Sequence, residues 1–182
     1  MSALPKKITD LAVAIRDAGG RAMLNGGCVR DELMGIQPKD WDVEVYGVEP
    51  VKLKTLLESF AKRQDADEGV RVSLKTVGEA FAVYKLAGDI DVSLPRRERK
   101  SGSGHRGFIV EGDPSMSFED ACSRRDFTVN AILKDPLTGE TVDPFDGQGD
   151  IKRKLLRMVS RETFAEDSLR VLRAAQFAAR FE

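Results

Sequence analysis

An α+β fold is what the 182-residue sequence predicts, from three observations. Apolar residues recur at helical spacing in Lys6 to Ala18 and again in Pro50 to Ala61, apolar and acidic residues alternate with period two around Asp40 and Asp89, and the chain from about Phe164 to its end reads as helix.

The first helix presents Ile8, Leu11, Ala12 and Ile15 on one face and is closed by Gly19-Gly20. Ala22-Met23-Leu24 is a short buried-strand pattern, and Val29 to Met34 supplies one to two helical turns stopped at Gly35. Between them Gly26-Gly27 permits positive φ and close backbone approach. Backbone N–H groups at that helix start would face an anion, with Arg30 able to fork onto phosphate oxygens. Neither Gly-x-x-x-x-Gly-Lys-Ser/Thr nor Gly-x-Gly-x-x-Gly is present. About ten residues on, Trp41, Val43 and Val45 alternate with Asp40, Asp42 and Glu44, which marks a strand with one apolar face. The two aspartates then project to the same side, roughly 7 Å apart along the backbone. Asp-x-Asp on a strand is commonplace by itself. Beside a glycine turn it reads as a phosphate cradle next to a metal site, because hard cations are held by one or two carboxylates plus substrate phosphates.

The Pro50 to Ala61 helix carries Leu53, Leu56, Leu57 and Phe60 toward the core, and Lys62 to Gly69 reads as a polar connection. Strands are predicted at Val70 to Val77, Ala80 to Leu86 and Asp89 to Leu94. In the last, Asp89, Asp91 and Ser93 alternate with Ile90, Val92 and Leu94, so a strand lying beside that of Asp40 would bring a third carboxylate. Pro95 to Gly107 has almost nothing to bury and is expected to be a mobile basic loop. Ser117 to Leu133 is expected to be helical over most of its length, Asp135 to Gly139 and Asp143 to Asp150 to form turns, and Leu155 to Val159 to form a short strand. In the final helix, i,i+3 and i,i+4 spacings put Asp167, Arg170 and Arg173 along neighbouring rows of one side. Salt-bridged arginines after acidic first-turn residues are an ordinary pattern. They can also read a base: a carboxylate accepts from an exocyclic amine while a guanidinium donates to the adjacent ring nitrogen, an order that cytosine and adenine offer and uracil and guanine reverse.

A net charge of −1 gives no global attraction to nucleic acid, so contacts would come from local patches at Arg96 to Arg106 and at Arg124-Arg125. Two isolated cysteines, Cys28 and Cys122, argue for a reducing compartment and against a disulfide scaffold or zinc site. A single histidine, His105, in a basic glycine-rich stretch makes a Ser-His-Asp hydrolase a poor fit. No apolar run reaches membrane-spanning length and no signal-peptide core is present, so a cytoplasmic protein without a membrane partner is expected.

Gly26-Gly-Cys-Val-Arg-Asp31, Asp40-Trp-Asp42, Arg124-Arg-Asp-Phe-Thr-Val-Asn130, Asp143-Pro-Phe-Asp-Gly147 and Glu166-Asp-Ser-Leu-Arg170 stand in the order of the successive motifs of the class II nucleotidyltransferases. From Leu24 to Phe181 the chain resembles the N-terminal part of a CCA-adding tRNA nucleotidyltransferase or bacterial poly(A) polymerase. The resemblance implies a polymerase-β-like head, a mixed sheet flanked by helices, over residues 1–145, and the start of a truncated helical neck over 146–182. Asp40, Asp42 and Asp91 would be the catalytic metal ligands for two Mg2+ ions, with Mn2+ as an alternative and Asp89 a second choice for the third carboxylate. Gly26, Gly27 and Arg30 match the triphosphate turn; Arg125 and Asp126, supported by Asn130, match the motif for the phosphates and ribose. Asp167 and Arg170 match the base template, with Arg173 beside them and Glu166 orienting Arg170, while Asp143, Asp146 and Gly147 form a linking turn. The implied reaction is attack of a tRNA 3′-hydroxyl on the α-phosphate of CTP or ATP with release of pyrophosphate, and no DNA partner is implied. Poly(A), A-only or CC-only addition is the alternative within the class, and a non-catalytic nucleotide- or RNA-binding module the alternative outside it. The stretch from Ala66 to Thr76 is longer than the family pattern, and the chain ends soon after the base-reading motif, which suggests a fragment that extends tRNA poorly.

Overall fold

In the computed structural model, which describes residues 4–68, 74–77, 83–86, 89–100 and 108–180, helix α1 (Lys6–Asp17) turns Ile8, Leu11, Ala12 and Ile15 inward as their spacing predicts. It stops where the Gly19 N–H donates to the Arg16 carbonyl and the Gly20 N–H to that of Ile15, the bond pair of a Schellman motif. The buried strand β1 (Arg21–Asn25) leads into the short helix α2 (Gly27–Leu33), and β2 (Trp41–Tyr46) follows. Helix α3 (Pro50–Glu68) buries Leu53, Leu57 and Phe60 and continues through most of the expected polar connection. Helical hydrogen bonds close locally and need no apolar face, so polarity alone does not end a helix.

β3 (Leu74–Val77), β4 (Val83–Leu86) and β5 (Ile90–Ser93) lie within the predicted strand runs. The basic segment differs from expectation. Arg96–Lys100 forms β6, paired antiparallel with β7 (Phe108–Gly112), and residues 101–107 lie outside the described residues. The ladder uses backbone groups, so a charged run can be a strand once Phe108 to Val110 supply a partner. An Arg97–Asp113 ion pair at 2.6 Å and a bond from the Asp113 N–H to the Pro95 carbonyl close its end.

The helix expected over Ser117 to Leu133 is only α4 (Phe118–Ser123), whose N-terminus is capped by Ser117 Oγ accepting from Asp120 N–H. A 3-10 turn at Thr128–Asn130 and strands β8 (Leu133–Lys134) and β9 (Thr141–Val142) follow. Residues 126–133 are all buried, and they feed separate apolar clusters. Phe127 and Val129 join Phe177, whereas Ala131 and Leu133 join Met23 and Tyr46, a division that a one-sided helix cannot make.

Helices α5 (Gly147–Arg153), α6 (Arg161–Glu166) and α7 (Leu169–Arg180) complete the described chain. The strand expected at Leu155 to Val159 is a single bridge between Met158 and Phe127, flanked by bonds from Thr128 N–H to Arg157 O and from Val159 N–H to Asp126 O. The final helix is interrupted: Asp167 is extended, at φ −125° and ψ 104°, and its Oδ1 accepts from the Leu169 N–H.

The main sheet has the order β3-β4-β5-β2-β1-β8-β9. β2 and β5 run parallel and the other neighbours antiparallel, which makes the sheet mixed. α1 and α3 cover it with the largest apolar cluster. Among the described residues no helix is long and apolar enough to cross a membrane.

Candidate active site

Gly26 sits between β1 and α2 at φ 64° and ψ −129°, a conformation that L side chains rarely adopt. A Cβ built there would lie 3.4 Å from Arg125 Nη1 and 3.8 Å from Asp42 Oδ2, so the turn, one aspartate and one arginine converge on a common point. Around it opens a cleft of about 1110 Å³ lined by Gly26, Gly27, Arg30, Asp42, Asp91, Arg125, Asp126, Asn130, Asp167, Arg170 and Arg173. Every sequence-predicted site residue except Asp40 lines it. Asp40 is exposed, one residue before β2, yet its charge acts on Asp42.

The parallel register of β2 and β5 sets Asp42 directly opposite Asp91. Asp89 lies elsewhere, bound by Lys7 at 2.7 Å. Burial raises the Asp42 carboxyl above its ordinary value, and repulsion from Asp91 and, less strongly, Asp40 adds to this, with Arg125 opposing. Lys85, across the antiparallel ladder, donates to both Asp91 oxygens at 2.8 and 2.6 Å. The donor set is all carboxylate and cation-seeking, which fits a hard divalent ion. Among the described residues no three His, Cys, Asp or Glu side chains form a ready ligand cluster; Asp42 and Asp91, adjacent across the β2–β5 ladder, are the carboxylates on the cleft that could share an ion.

The wall opposite is built differently. Arg30, only 4% exposed, donates from Nε and Nη2 to Asp31 and from Nη1 to Asn130 Oδ1 at 2.6 Å. These bonds hold its guanidinium in the wall, where a free fork onto phosphate was expected. Asn130 donates in turn to Asp126 Oδ1, and Arg173 Nε donates to Asp126 Oδ2 at 2.6 Å. Burial works against ionisation of Asp126, but the bonds from Asn130 and Arg173 outweigh it and hold the carboxyl below its ordinary value. Arg30 and Arg173 both stand over the Phe177 ring, 5.1 and 5.4 Å from its centroid. Arg170 donates to the carbonyl of Arg124 at 2.7 Å and to that of Arg125 at 3.5 Å. Asp167 is therefore the break before α7, not a member of one helical face with Arg170 and Arg173; the bond from its side chain to Leu169 N–H stabilises that break. The Glu166 side chain lies outside the described residues.

Arg125 Nε is buried with no hydrogen-bond partner among the described residues, while its Nη1 faces the Gly26 turn. Sequence reasoning passed over Glu44 and Phe177 as site residues. The signals were present, since Glu44 continues the Asp40-Asp42 alternation and Phe177 follows Arg173 by one helical turn. Asp143, Asp146 and Gly147 do form a turn: the Gly147 and Gln148 N–H groups donate to Asp143, and a Cβ on Gly147 would collide with the Thr128 carbonyl. Burial pushes the thiols of Cys28 and Cys122 up to about 11, so neither is poised as a nucleophile.

A mixed sheet flanked by helices, with a glycine turn facing strand-borne aspartates, defines a polymerase-β-like nucleotidyltransferase head. Residues 22–157 match the Poly A polymerase head domain, and the chain belongs to that family. It is 41% identical over 162 residues to the multifunctional CCA protein of Xylella fastidiosa strain M23, covering 88% of this chain and 35% of that protein. It superposes on the Bacillus stearothermophilus CCA-adding enzyme in complex with CTP with a TM-score of 0.70 at 26% identity, covering 96% of this chain and 39% of the other. A tRNA nucleotidyltransferase complexed with a primer tRNA and an incoming ATP analog gives a TM-score of 0.65 at 28% identity, covering 92% and 44%. The chain thus spans about a third of the length of the curated relatives it matches.

Proposed function

We propose that this chain carries the catalytic site of a template-independent RNA nucleotidyltransferase that adds C and A to the 3′ end of tRNA, with a head over 1–145 and the beginning of a neck over 146–182. The observation that carries the proposal is the convergence of the Gly26 turn, Asp42 and Arg125 on one point, with Asp91 directly across the sheet from Asp42. In this reading the α2 N-terminus and the Arg125 guanidinium, whose Nη1 faces the Gly26 turn, take the triphosphate. Arg30, Asn130 and Asp126 hold that wall rigid behind the nucleotide, so the phosphates meet preorganised donors. Asp167, Arg170 and Arg173, all on the cleft, are the candidates for reading C or A. Asp40, Asp42 and Asp91 would hold two Mg2+ or Mn2+ ions, which when bound neutralise phosphate charge and favour in-line displacement at the α-phosphate. The naming of the relatives and the CTP, ATP-analog and tRNA complexes among the structural neighbours support this reading.

Extension of a tRNA ending at its discriminator base, with Mg2+, CTP and ATP, tests it against Asp40→Ala. Expected is binding of CTP and ATP in preference to UTP and GTP, with incorporation of C, C, A that is weak for this chain, which spans about a third of its relatives' length, and that the substitution abolishes. Sequencing products made with all four triphosphates separates CCA addition from the poly(A) alternative that the family description keeps open. Binding of CTP and ATP indifferent to metal and to Asp42→Ala would instead favour a non-catalytic nucleotide- or RNA-binding module.

A further inference from the structure

Glu44 stands two residues beyond Asp42 on the same face of β2, and it is 2% exposed. A carboxylate in the middle of a sheet costs more than the valines on either side of it unless it is fully paired. Its pairing is specific. Oε1 accepts from Arg124 Nη2 at 3.1 Å and faces Arg125 Nη2 at 3.6 Å, while Oε2 accepts from the Tyr46 hydroxyl at 2.6 Å. Tyr46 is itself buried and packed edge-on against Phe118 at 4.7 Å, so the carboxylate is held in one orientation. One nitrogen of the Arg125 guanidinium thus faces Glu44, a second faces the Gly26 turn, and Nε is buried with no hydrogen-bond partner among the described residues.

We infer that Glu44 is a positioning residue for nucleotide binding, a buried carboxylate that sets Arg125 over the Gly26 turn so that its guanidinium meets the triphosphate. The inference rests on the functional reading above and adds a residue to it. Its role is exerted through Arg125, to which its Oε1 is turned. A glutamine in its place keeps the shape but loses the charge that draws two guanidiniums to a single oxygen. Arg125 then loses its anchor while Arg124 keeps the Glu44-side hydrogen bond. The loss should grow with the number of phosphates on the ligand, because the guanidinium addresses the phosphate tail. A purely structural fault would weaken all ligands alike.

Calorimetric titration of wild type, Glu44→Gln and Tyr46→Phe with CTP and with CMP, in Mg2+, tests this. Expected for Glu44→Gln is a Kd for CTP raised about tenfold, in line with loss of one charge-assisted contact, and a Kd for CMP raised less than about twofold. Tyr46→Phe, which unclamps the carboxylate and keeps its charge, should fall between wild type and Glu44→Gln for CTP. A wild-type chain that binds no CTP overturns the functional reading and this inference with it. A wild type that binds CTP while Glu44→Gln is unchanged, tightened, or weakened equally for both ligands overturns this inference alone. Should Glu44→Gln fail to fold, Glu44→Asp, which retracts the carboxylate by one methylene, is titrated in its place with the same expected split between CTP and CMP.

Discussion

Asp42 and Asp126 face the same cleft with opposite electrostatic histories. Asp42 is pushed up by burial and by the carboxylates of Asp91 and Asp40, with Arg125 and Lys85 as partial relief. Asp126 is more completely partnered: Phe127 N–H, Asn130 and Arg173 all donate to it, and its carboxyl is lowered despite burial. In the proposed function the Asp42 side is the one that gains by taking up a cation. Asp126 is already satisfied by protein donors and helps to fix the opposite surface. Groups that hold a structure together and groups that wait for a substrate can thus be told apart by whether their charges are already satisfied.

The contrast can be broken most directly at Asp42. Asp42→Ala should lower nucleotidyl transfer on the order of 10³-fold while leaving the melting temperature unchanged or higher, because a repelled carboxylate is removed. A loss of activity that merely follows a fall in melting temperature would erase the distinction. At the saturated wall the expectation reverses. Asp126→Ala should cost about 2 kcal/mol in urea unfolding by leaving buried Asn130 without its acceptor and Arg173 without its ion pair.

The turn predicts a smaller change. Gly26→Ala should cost about 1 kcal/mol of backbone strain and also weaken CTP binding, because the methyl, in ordinary contact with Arg125 Nη1, fills the point where the turn, Asp42 and Arg125 converge. Gly139→Ala, at φ 76° with nothing within 4 Å of the added methyl, should show comparable strain and unchanged binding. Equal loss of nucleotide affinity in both variants would show that the Gly26 contact with Arg125 is irrelevant.

The smallest effect is in the pH dependence, and it has a sign for each wall. The stabilisation from the lowered Asp126 is fully present above the ordinary carboxylate value of 3.8 and is lost as pH falls through its lowered folded value. Wild type should therefore exceed Asp126→Asn in stability at neutral pH, and the gap should close in acid. Asp42 runs the other way: its raised folded value makes the ionised form a penalty at neutral pH, relieved as pH falls through that value and gone below 3.8. Asp42→Asn should be the more stable protein at pH 7 and equal to wild type near pH 3, as urea midpoints across that range would report.

Much of this molecule is legible in local sequence. The α1 stripe, its glycine stop, the Gly26 turn and the alternation of β2 each follow from rules that act over a few residues. Misreadings cluster where long-range contacts override local preference. Ser117 to Leu133 has a plausible helical pattern, yet Asp126 turns back onto the Phe127 N–H and Phe127 is pulled toward Phe164 and Phe177, far along the chain. Arg96 to Lys100 reads as a loop because its pairing partner lies beyond an intervening segment.

The residue types of the site and the order in which they occur were determined by the sequence alone: a glycine pair, an Asp-x-Asp strand, a further acidic strand, an arginine pair and a closing Asp-x-x-Arg. Only the tertiary structure decided that Asp91 and not Asp89 stands opposite Asp42, that Asp126 is held by Arg173, and that Glu44 gathers both arginines beneath the cleft. The physical reason is that strand register and ion pairing between distant residues depend on how whole faces pack, and a one-residue change of register exchanges every side chain between those faces.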